Sequence, residues 1–557
     1  MTLPELQDVD PLIAAPPHGR EMALGAYDGA SRTSRELMTW APPMRSADMD
    51  LLPDKQISDV RVRDTLRNDA YVQNASRIKQ DSVVGEMFLL NAKPNIKVLG
   101  LDETWAQEFQ EEVEAKFTLY AESIRNFPDA QRRNTLTGLV RLAMGIHSMA
   151  GEVLASVEWM RSGYRPFSTA LQMIDLDRLS NPNGEMDTKF LRGGVQRDRF
   201  GAPVGYWIRN GHPTDWHNAD GHQWRYVPAT RGQVVGNPGW DRPQVIHIID
   251  QWRPDQSRGI SSMVSALKEM RMTKKFRDVV LQSAVLNASY AASIESDLPA
   301  EVALQQAGGG DPDALSNYAG TYLDQVAEYV GGSRNIHMDG VKIPVFYPGT
   351  KMKLQNAGTP GGMGTDFEGS MLRYIAATLG VSYEQLSKDF SKANYSNLRA
   401  AMADTERRMK VQKRQVADRF AAVFYRLWLE EALNKGEITS MPSKAPNWYD
   451  GLNQEAYSAC DWIGASMGQI DELKETQAAV LRVNNGLSTR EIELSRLGRD
   501  WREVYSQLSR EKTQEEKQGL LFGADKNSQN MMNAAGGAPS NEGANPRSEV
   551  DGENTDE

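Results

Sequence analysis

Residues 260–294 read ISSMVSALKEMRMTKKFRDVVLQSAVLNASYAASI, a run with neither glycine nor proline in which Met263, Leu267, Met270, Phe276, Val279, Val280 and Leu286 recur mostly at steps of three and four. That spacing lines the apolar side chains along one stripe, so the run predicts a single α-helix of roughly 50 Å at about 1.5 Å per residue. A second run, Leu398 to Asn434, repeats the pattern with Leu398, Met402, Met409, Val416, Phe420, Val423 and Leu427. Between them Pro299, Gly308 to Gly310 and Gly331-Gly332 break the chain, and Ile343 to Leu354 predicts a strand pair around Pro348-Gly349. Phe367 to Leu379 predicts a short apolar helix closed by Gly380, and Ser387 to Asn397 a polar loop. Two long helices therefore bracket an insertion and a loop.

Upstream, Asp48 to Ala150 is helical in pattern, most clearly over Thr104 to Leu119 and Arg133 to His147. The period then changes. Val153 to Met160, Gln172 to Leu176, Gly193 to Ile208 and Trp224 to Val227 are short, rich in Val, Ile, Tyr and Trp, and separated by turn sequences, so they predict strands. The fold class expected is α+β, mainly helical. Before about Ser46 the proline pairs Pro16-Pro17 and Pro42-Pro43 predict an extended arm. Downstream, Trp462 to Ser509 predicts helices with a stop, cap and restart across Gly486 to Glu491. Gly523 to Glu557 has no aromatic residue and predicts a disordered acidic tail.

With 557 residues the chain has room for three or four structural units at roughly 150 residues each. Its 74 acidic against 63 basic residues give a net charge of −11, which argues against broad electrostatic capture of nucleic acid. The acidity is uneven: Asp278 to Ser333 carries eight acidic residues and no basic one. Cys460 is the lone cysteine, which excludes an intrachain disulfide and a multi-cysteine metal site and suits a reducing compartment. Met1 to Arg20 lacks the basic flank and apolar stretch of a secretory signal, and no stretch nears the ~20 apolar residues of a membrane span.

The usual signatures of chemistry fail on context. His212, His217 and His222 recur every five residues, whereas helical metal ligands need three or four, so a polar turn is expected and no metal or other cofactor. Neither Gly308 to Gly310 nor Gly361 to Gly364 is a phosphate-cradling GxxxxGK[ST] loop. Gly464-Ala465-Ser466-Met467-Gly468 matches GxSxG but is expected to follow polar residues into a helix, without the buried strand a nucleophile elbow requires. The adjacent pairs Glu111-Glu112 and Glu430-Glu431 point about 100° apart on helices and are read as solvated faces. The second long helix mixes Arg399, Arg407, Arg408, Lys410, Lys413, Arg414 and Arg419 with Asp404, Glu406 and Asp418, so its local charge leaves a nucleic-acid face and a charge-paired surface equally open.

Several segments in collinear order nevertheless share a pattern. They are Gly194-Val195-Gln196-Arg197-Asp198, Val245-Ile246-His247 and Arg253-Pro254-Asp255-Gln256-Ser257-Arg258-Gly259. Then come Arg373-Tyr374-Ile375-Ala376-Ala377, Gly380-Val381-Ser382-Tyr383-Glu384, Asn394-Tyr395-Ser396-Asn397-Leu398-Arg399 and Asp461-Trp462-Ile463-Gly464. From about residue 27 to 510 the chain resembles the lambda-type portal proteins of tailed bacteriophages.

The resemblance implies a non-enzymatic subunit with wing, stem, clip and crown parts, twelve of which form a ring at one capsid vertex of the virion. It implies an arm over 1–47, a wing over 48–258, a first stem helix over 259–294, a clip over 295–364 and a second stem helix over 365–380. A tunnel loop over 381–396, a tunnel-side helix over 397–436, wing or crown helices over 437–512 and a tail over 513–557 would follow. Double-stranded DNA would pass the loop at Lys388, Asp389, Lys392, Asn394, Tyr395 and Ser396. The clip acids Asp297, Glu301, Asp311, Asp313, Asp324 and Glu328 would face partners. Implied partners are further copies of the chain, the terminase large subunit, head-completion or tail-adaptor proteins, and the major capsid and scaffold proteins met in the host cytoplasm during assembly. No membrane is implied. The runner-up is a DNA-packaging enzyme, a nuclease or terminase subunit, which would need the metal-binding carboxylates or phosphate loop missing above. A helical scaffold without DNA contact is a third reading.

Overall fold

The computed structural model describes residues 28–30, 34–161, 163–215, 217, 219–231, 242–289, 320, 324, 335–338, 341–344, 363–391, 393–466 and 472–519. Ser46 caps α1 (Ala47–Asn68), and Asp69 both ends α1 and caps α2 (Ala70–Val83). There follow β1 (Leu89–Ala92), α3 (Ile96–Leu99), α4 (Glu103–Ala121) and α5 (Leu136–Ala150). Helices α4 and α5 occupy the two stretches whose spacing predicts them.

Next come β2 (Glu152–Trp159), β3 (Thr169–Met173), β4 (Leu191–Arg192), β5 (Val195–Arg197), β6 (Pro203–Arg209), β7 (Trp224–Pro228), β8 (Thr230–Arg231), β9 (Arg242–Pro243) and β10 (Val245–Ile249). They build an antiparallel β10-β2-β3 sheet and an antiparallel β4-β5-β6-β7 sheet, with a β8-β9 pair beside them. The strand expected over 172–176 lies earlier, because Asp175 caps a 3-10 turn at Leu176–Arg178 and ends the pairing of β3 at Met173.

The first long helix also starts late. The Ser261 hydroxyl accepts the Met263 amide at 3.2 Å and initiates a 3-10 turn, Ser262–Ala266, before α6 (Leu267–Ser289) begins. Residues 290–294 of the expected helix lie outside the described residues. β11 (Asn335–Met338) and β12 (Val341–Pro344) pair antiparallel, and residues 345–354 of the strand pair expected over 343–354 lie outside the described residues. After them stand α7 (Met363–Leu379), α8 (Tyr383–Ser387) and α9 (Tyr395–Gln412). A π-helical segment, Lys413–Asp418, joins α9 to α10 (Arg419–Asn434) and makes one continuous rod of the second long helix.

The chain closes with α11 (Asn453–Tyr457), β13 (Cys460–Ile463), α12 (Glu472–Asn484), α13 (Arg490–Arg496) and α14 (Trp501–Gln518). Strand β13 corrects the expectation of helix from Trp462 onward. It pairs antiparallel with β1, placing Trp462 opposite Leu90, and the Trp462 ring stacks on Phe88 at 5.3 Å. A partner some 370 positions away overrides the local pattern.

Helix α10 is no surface helix. Phe420, Phe424, Tyr425, Leu427, Trp428 and Leu429 are all fully buried, around Phe117 of α4, whose ring lies 5.1 Å from Trp428 and 5.4 Å from Tyr425. Glu430 and Glu431, expected on a solvated face, are buried too. Glu431 accepts the Ser168 and Thr169 amides at 2.6 and 2.9 Å and Lys435 Nζ at 2.8 Å, pinning α10 to β3. Burial alone would raise its pKa, but these donors hold it below the ordinary carboxylate value.

One buried carboxylate ties the two halves of the α+β region. Glu152, at the start of β2, has no exposed surface. It meets Arg258 at 2.7 Å, Lys55 of α1 at 3.0 Å, His247 of β10 at 3.2 Å and the Gly259 amide at 2.7 Å. Arg258 also donates to the carbonyls of Leu179 and Gly193, at 2.9 and 2.7 Å. The approach demands two glycines. A Cβ on Gly259 would lie 2.1 Å from the Gly151 oxygen, and one on Gly151 2.1 Å from the Ile260 oxygen.

Desolvation pushes the Glu152 pKa upward, but Arg258 and Lys55 outweigh it and hold the carboxyl well below its ordinary 4.5. The stability it contributes is therefore complete above that ordinary value and drains away as pH falls through the lower folded value. Glu152→Gln, which leaves Arg258 buried without its anion and Lys55 with Asp59 alone, 2.9 Å away, is expected to cost about 3–5 kcal/mol in chemical denaturation of the subunit at neutral pH. A cost below ~1 kcal/mol would show that the network does not hold the fold.

Candidate nucleic-acid interface

The loop between α8 and α9 is built by its caps. Helix α7 ends at Gly380, which has φ +72°; its amide bonds the Ala376 carbonyl at 2.8 Å, and a Cβ there would come within 2.5 Å of Arg408. Ser382 then forms a capping box with Gln385: the Gln385 amide donates to the Ser382 hydroxyl and the Ser382 amide to Gln385 Oε1, both at 3.2 Å. Leu386 is fully buried. Asn74 of α2 donates to the carbonyls of Gln385 and Leu386 at 3.0 and 3.3 Å, and Thr405 of α9 donates to Gln385 Oε1 at 3.2 Å. The base of the loop is therefore tied to two helices.

Past that base the chain turns outward. Lys388 takes the left-handed conformation at φ 58° and is exposed, as are Asp389 and Phe390. Asp389 Oδ1 accepts the Ser391 amide at 3.0 Å and its hydroxyl at 2.6 Å, which folds the tip locally. Asn394 is exposed and caps α9, accepting the Asn397 amide at 2.8 Å, and Ser396 is exposed in the first turn. Of the six residues expected on this loop, Lys388, Asp389, Asn394 and Ser396 thus share one exposed segment. Lys392 lies outside the described residues, as does the side chain of Tyr395. Phe390, 48% exposed beside Lys388, is a loop residue the sequence reading passed over; the bare signal was an aromatic side chain in a polar loop.

Of the clip acids, Asp324 is described and exposed, whereas Asp297, Glu301, Asp311, Asp313 and Glu328 lie outside the described residues.

Elsewhere the structure answers the discarded chemistry. His212 joins neither of the other two histidines in a ligand group; it lies 3.2 Å from Asp177 Oδ2, and Asp175, Asp177 and His212 hold ligand atoms within 4.8 Å of one another. Arg63 already engages both oxygens of Asp177, with Nη1 at 2.7 Å. Burial would raise the Asp177 pKa, but Arg63 holds it below the ordinary value. Its charge is thus met by a guanidinium. GxSxG does follow a strand, β13, contrary to the expectation above, because Trp462 and Ile463 are buried against the core. Burial pushes the Cys460 thiol in that strand up to about 12, far from thiolate chemistry. Among the described residues no helix is long and apolar enough to cross a membrane.

Comparison with known proteins agrees with the motif order. A family model described as "Phage portal protein, lambda family" matches residues 33–413. The portal protein of Escherichia phage N15 is 35% identical over 502 residues, covering 90% of this chain and 92% of that protein. Portal protein B of Escherichia phage lambda is 35% identical over 505 residues, covering 90% and 91%. Among solved structures, a chain from the virion of a native gene transfer agent particle is 14% identical, covering 80% of this chain and 93% of that chain at a TM-score of 0.34.

Asn394→Ala removes the cap that joins loop to helix and is expected to cost about 1 kcal/mol locally, raising amide exchange at Asn397 and Leu398 roughly fivefold. Asn394→Asp should preserve protection. Unchanged exchange in Asn394→Ala would mean that the cap does not hold the first turn.

Proposed function

The chain belongs to the lambda family of phage portal proteins, and we propose that twelve copies close into a ring at one capsid vertex, through which double-stranded DNA enters during packaging and leaves on ejection. The protein is a structural component and not an enzyme. The observation that carries the reading of the channel is the exposed stretch from Lys388 to Ser391, with the exposed Asn394, raised on a base locked by Leu386, Gln385 and Asn74. A firm base with an outward tip suits a loop that touches a moving duplex.

Ring assembly is supported by α6. Past Asp278 it carries no charged residue, and Val279, Val280, Leu281 and Val285 lie around its circumference with exposures of 37–66%. A helix that is apolar all round requires partners on more than one side, which neighbours in a ring supply. Twelvefold repetition then governs charge. One inward lysine becomes a ring of positive charge around a duplex bearing one phosphate per ~1.7 Å of axis, so many such rings would grip and stop it. The acidic run over 278–333 repels the backbone and keeps the duplex centred, while Lys388 and Lys392 supply a weak, salt-sensitive hold. The clip acids, from Asp297 to Glu328, form the docking side for the terminase motor and later for head-completion or tail-adaptor proteins, and capsid and scaffold proteins surround the ring.

Negative-stain images of purified protein are expected to show annuli with a hole wider than duplex DNA; a persistent monomer, in solution and in particles, would refute the ring. Heads carrying Lys388→Ala with Lys392→Ala should hold full-length DNA at least about twofold less often at ~0.1 M salt, with the difference vanishing at high salt. Equal retention at every salt concentration would eliminate the hold.

A further inference from the structure

The loop between α4 and α5, residues 122–135, and the turn between β2 and β3, residues 160–168, together hold five arginines. One of them, Arg165, is buried and used internally: it donates to the Phe127 carbonyl and, at 3.3 Å, to the Tyr120 hydroxyl. The other four, Arg125, Arg132, Arg133 and Arg161, are exposed, and among the described residues none of them meets a carboxylate. The two acids of these segments are engaged elsewhere. Glu122 accepts the Thr137 amide and hydroxyl at 3.0 and 2.8 Å, and Asp129, 2% exposed, accepts the backbone amides of Gln131, Arg133 and Asn134 at 2.8 to 3.0 Å. In a chain of net charge −11 this is a local surplus of four positive charges.

The surplus is held in shape. Asp129 gathers the loop around its carboxylate, Asn126 closes it by donating to the Arg132 carbonyl at 3.1 Å, and the Ala130 amide and Pro128 carbonyl bond Leu171 of β3 at 2.8 and 2.7 Å. The turn joins the same body where the Arg132 guanidinium lies 5.3 Å from the centre of the Tyr164 ring. Arg132 is placed there at φ +59°, a left-handed conformation in which glycine or asparagine is the ordinary choice. Four like charges on two short, braced segments repel one another, and an external polyanion relieves that repulsion.

Charge density selects the anion. Even the most acidic stretch of the chain's own tail, Glu549 to Glu557, has five acids in nine residues, about one per 6 Å when extended at ~3.3 Å per residue. A duplex offers one phosphate per ~1.7 Å of axis, and guanidinium groups meet phosphates in bidentate pairs. We propose that Arg125, Arg132, Arg133 and Arg161 bind the backbone of double-stranded DNA, at a site on other elements than the Lys388 loop. The contact reads no sequence, since it reaches phosphates and not base edges. Its strength also decides which DNA it serves. Repeated around a ring, so much positive charge inside the channel would stop a moving duplex, so the site holds DNA at rest outside the channel; this last step rests on the ring reading above.

Titration of a fluorescent blunt duplex with the full-length protein at several salt concentrations tests this. The neutral variant Arg125→Gln, Arg132→Asn, Arg161→Gln is expected to bind at least about tenfold more weakly at ~0.1 M salt and to flatten the slope of log affinity against log salt by about 2–3, close to ~0.9 for each lost contact. Arg125→Lys, Arg132→Lys, Arg161→Lys keeps the charge and should restore that slope, with circular dichroism unchanged in both variants. Unchanged affinity and slope in the neutral variant, with binding lost instead in Lys388→Ala with Lys392→Ala, overturns this site and leaves the channel reading standing. Removal of Gly523 to Glu557 is expected to change the affinity less than about twofold; a rise of about tenfold would mean that the tail already occupies the patch, which overturns the inference. Ile124, 96% exposed beside Arg125, separates a protein partner from DNA, and Ile124→Ser should leave duplex affinity unchanged. A neutral variant that keeps its duplex affinity but fails to enter heads, with Ile124→Ser failing likewise, assigns the patch to a protein and also overturns it. A protein that forms no annuli refutes the ring without altering this measurement.

Discussion

Taking a carboxylate out of water is costly, and Glu152 is taken out completely. The cost is met because Lys55, His247 and the adjacent Arg258 and Gly259 amide converge on it from three parts of the chain. Such a network favours one arrangement, since separating Arg258 from Glu152 takes from the buried guanidinium its only carboxylate partner among the described residues. It therefore sets how α1, the β10-β2-β3 sheet and the turn before α6 meet. Gly151 and Gly259 complete the device by letting two backbone segments approach closer than any side chain permits. Because Arg258 stands just before the turn that leads into α6, the same network sets where that helix leaves the body.

The long C-terminal rod is two helices with different duties. Its second half, α10, is the centre of the aromatic core, locked by Phe117 and by the buried Glu431. Its first half, α9, is largely exposed and carries the loop at its N-terminal end. The π-helical segment marks the passage from one to the other, and there Lys413 bridges Asp418 and the Trp462 carbonyl, at 2.7 and 2.8 Å. A loop mounted on such a rod inherits its position from the core. In the proposed ring, that would set the radius at which the exposed Lys388 stands.

The charge balance acquires meaning only with repetition. Under the proposed ring reading, an acidic run repeated in every copy would form a collar that disfavours phosphate contact. A protein that lets DNA slide gains nothing from affinity, so a net charge of −11 is compatible with work on DNA.

Much was legible in the sequence because much of it is local. Helical spacing, the breaks at Gly380 and Gly486, the cap before Arg490 and the exposed loop between two helices all depend on neighbours within a few positions. The collinear motifs carried the family. What escaped depends on partners far along the chain: β13 pairs with β1, Glu431 reaches β3, and Arg258 finds Glu152 106 positions away. The amino-acid order by itself determined the helices, their ends and the exposed loop. Only the tertiary structure decided which charges are buried and which apolar stripes stay bare, because burial is a property of what the rest of the chain brings alongside.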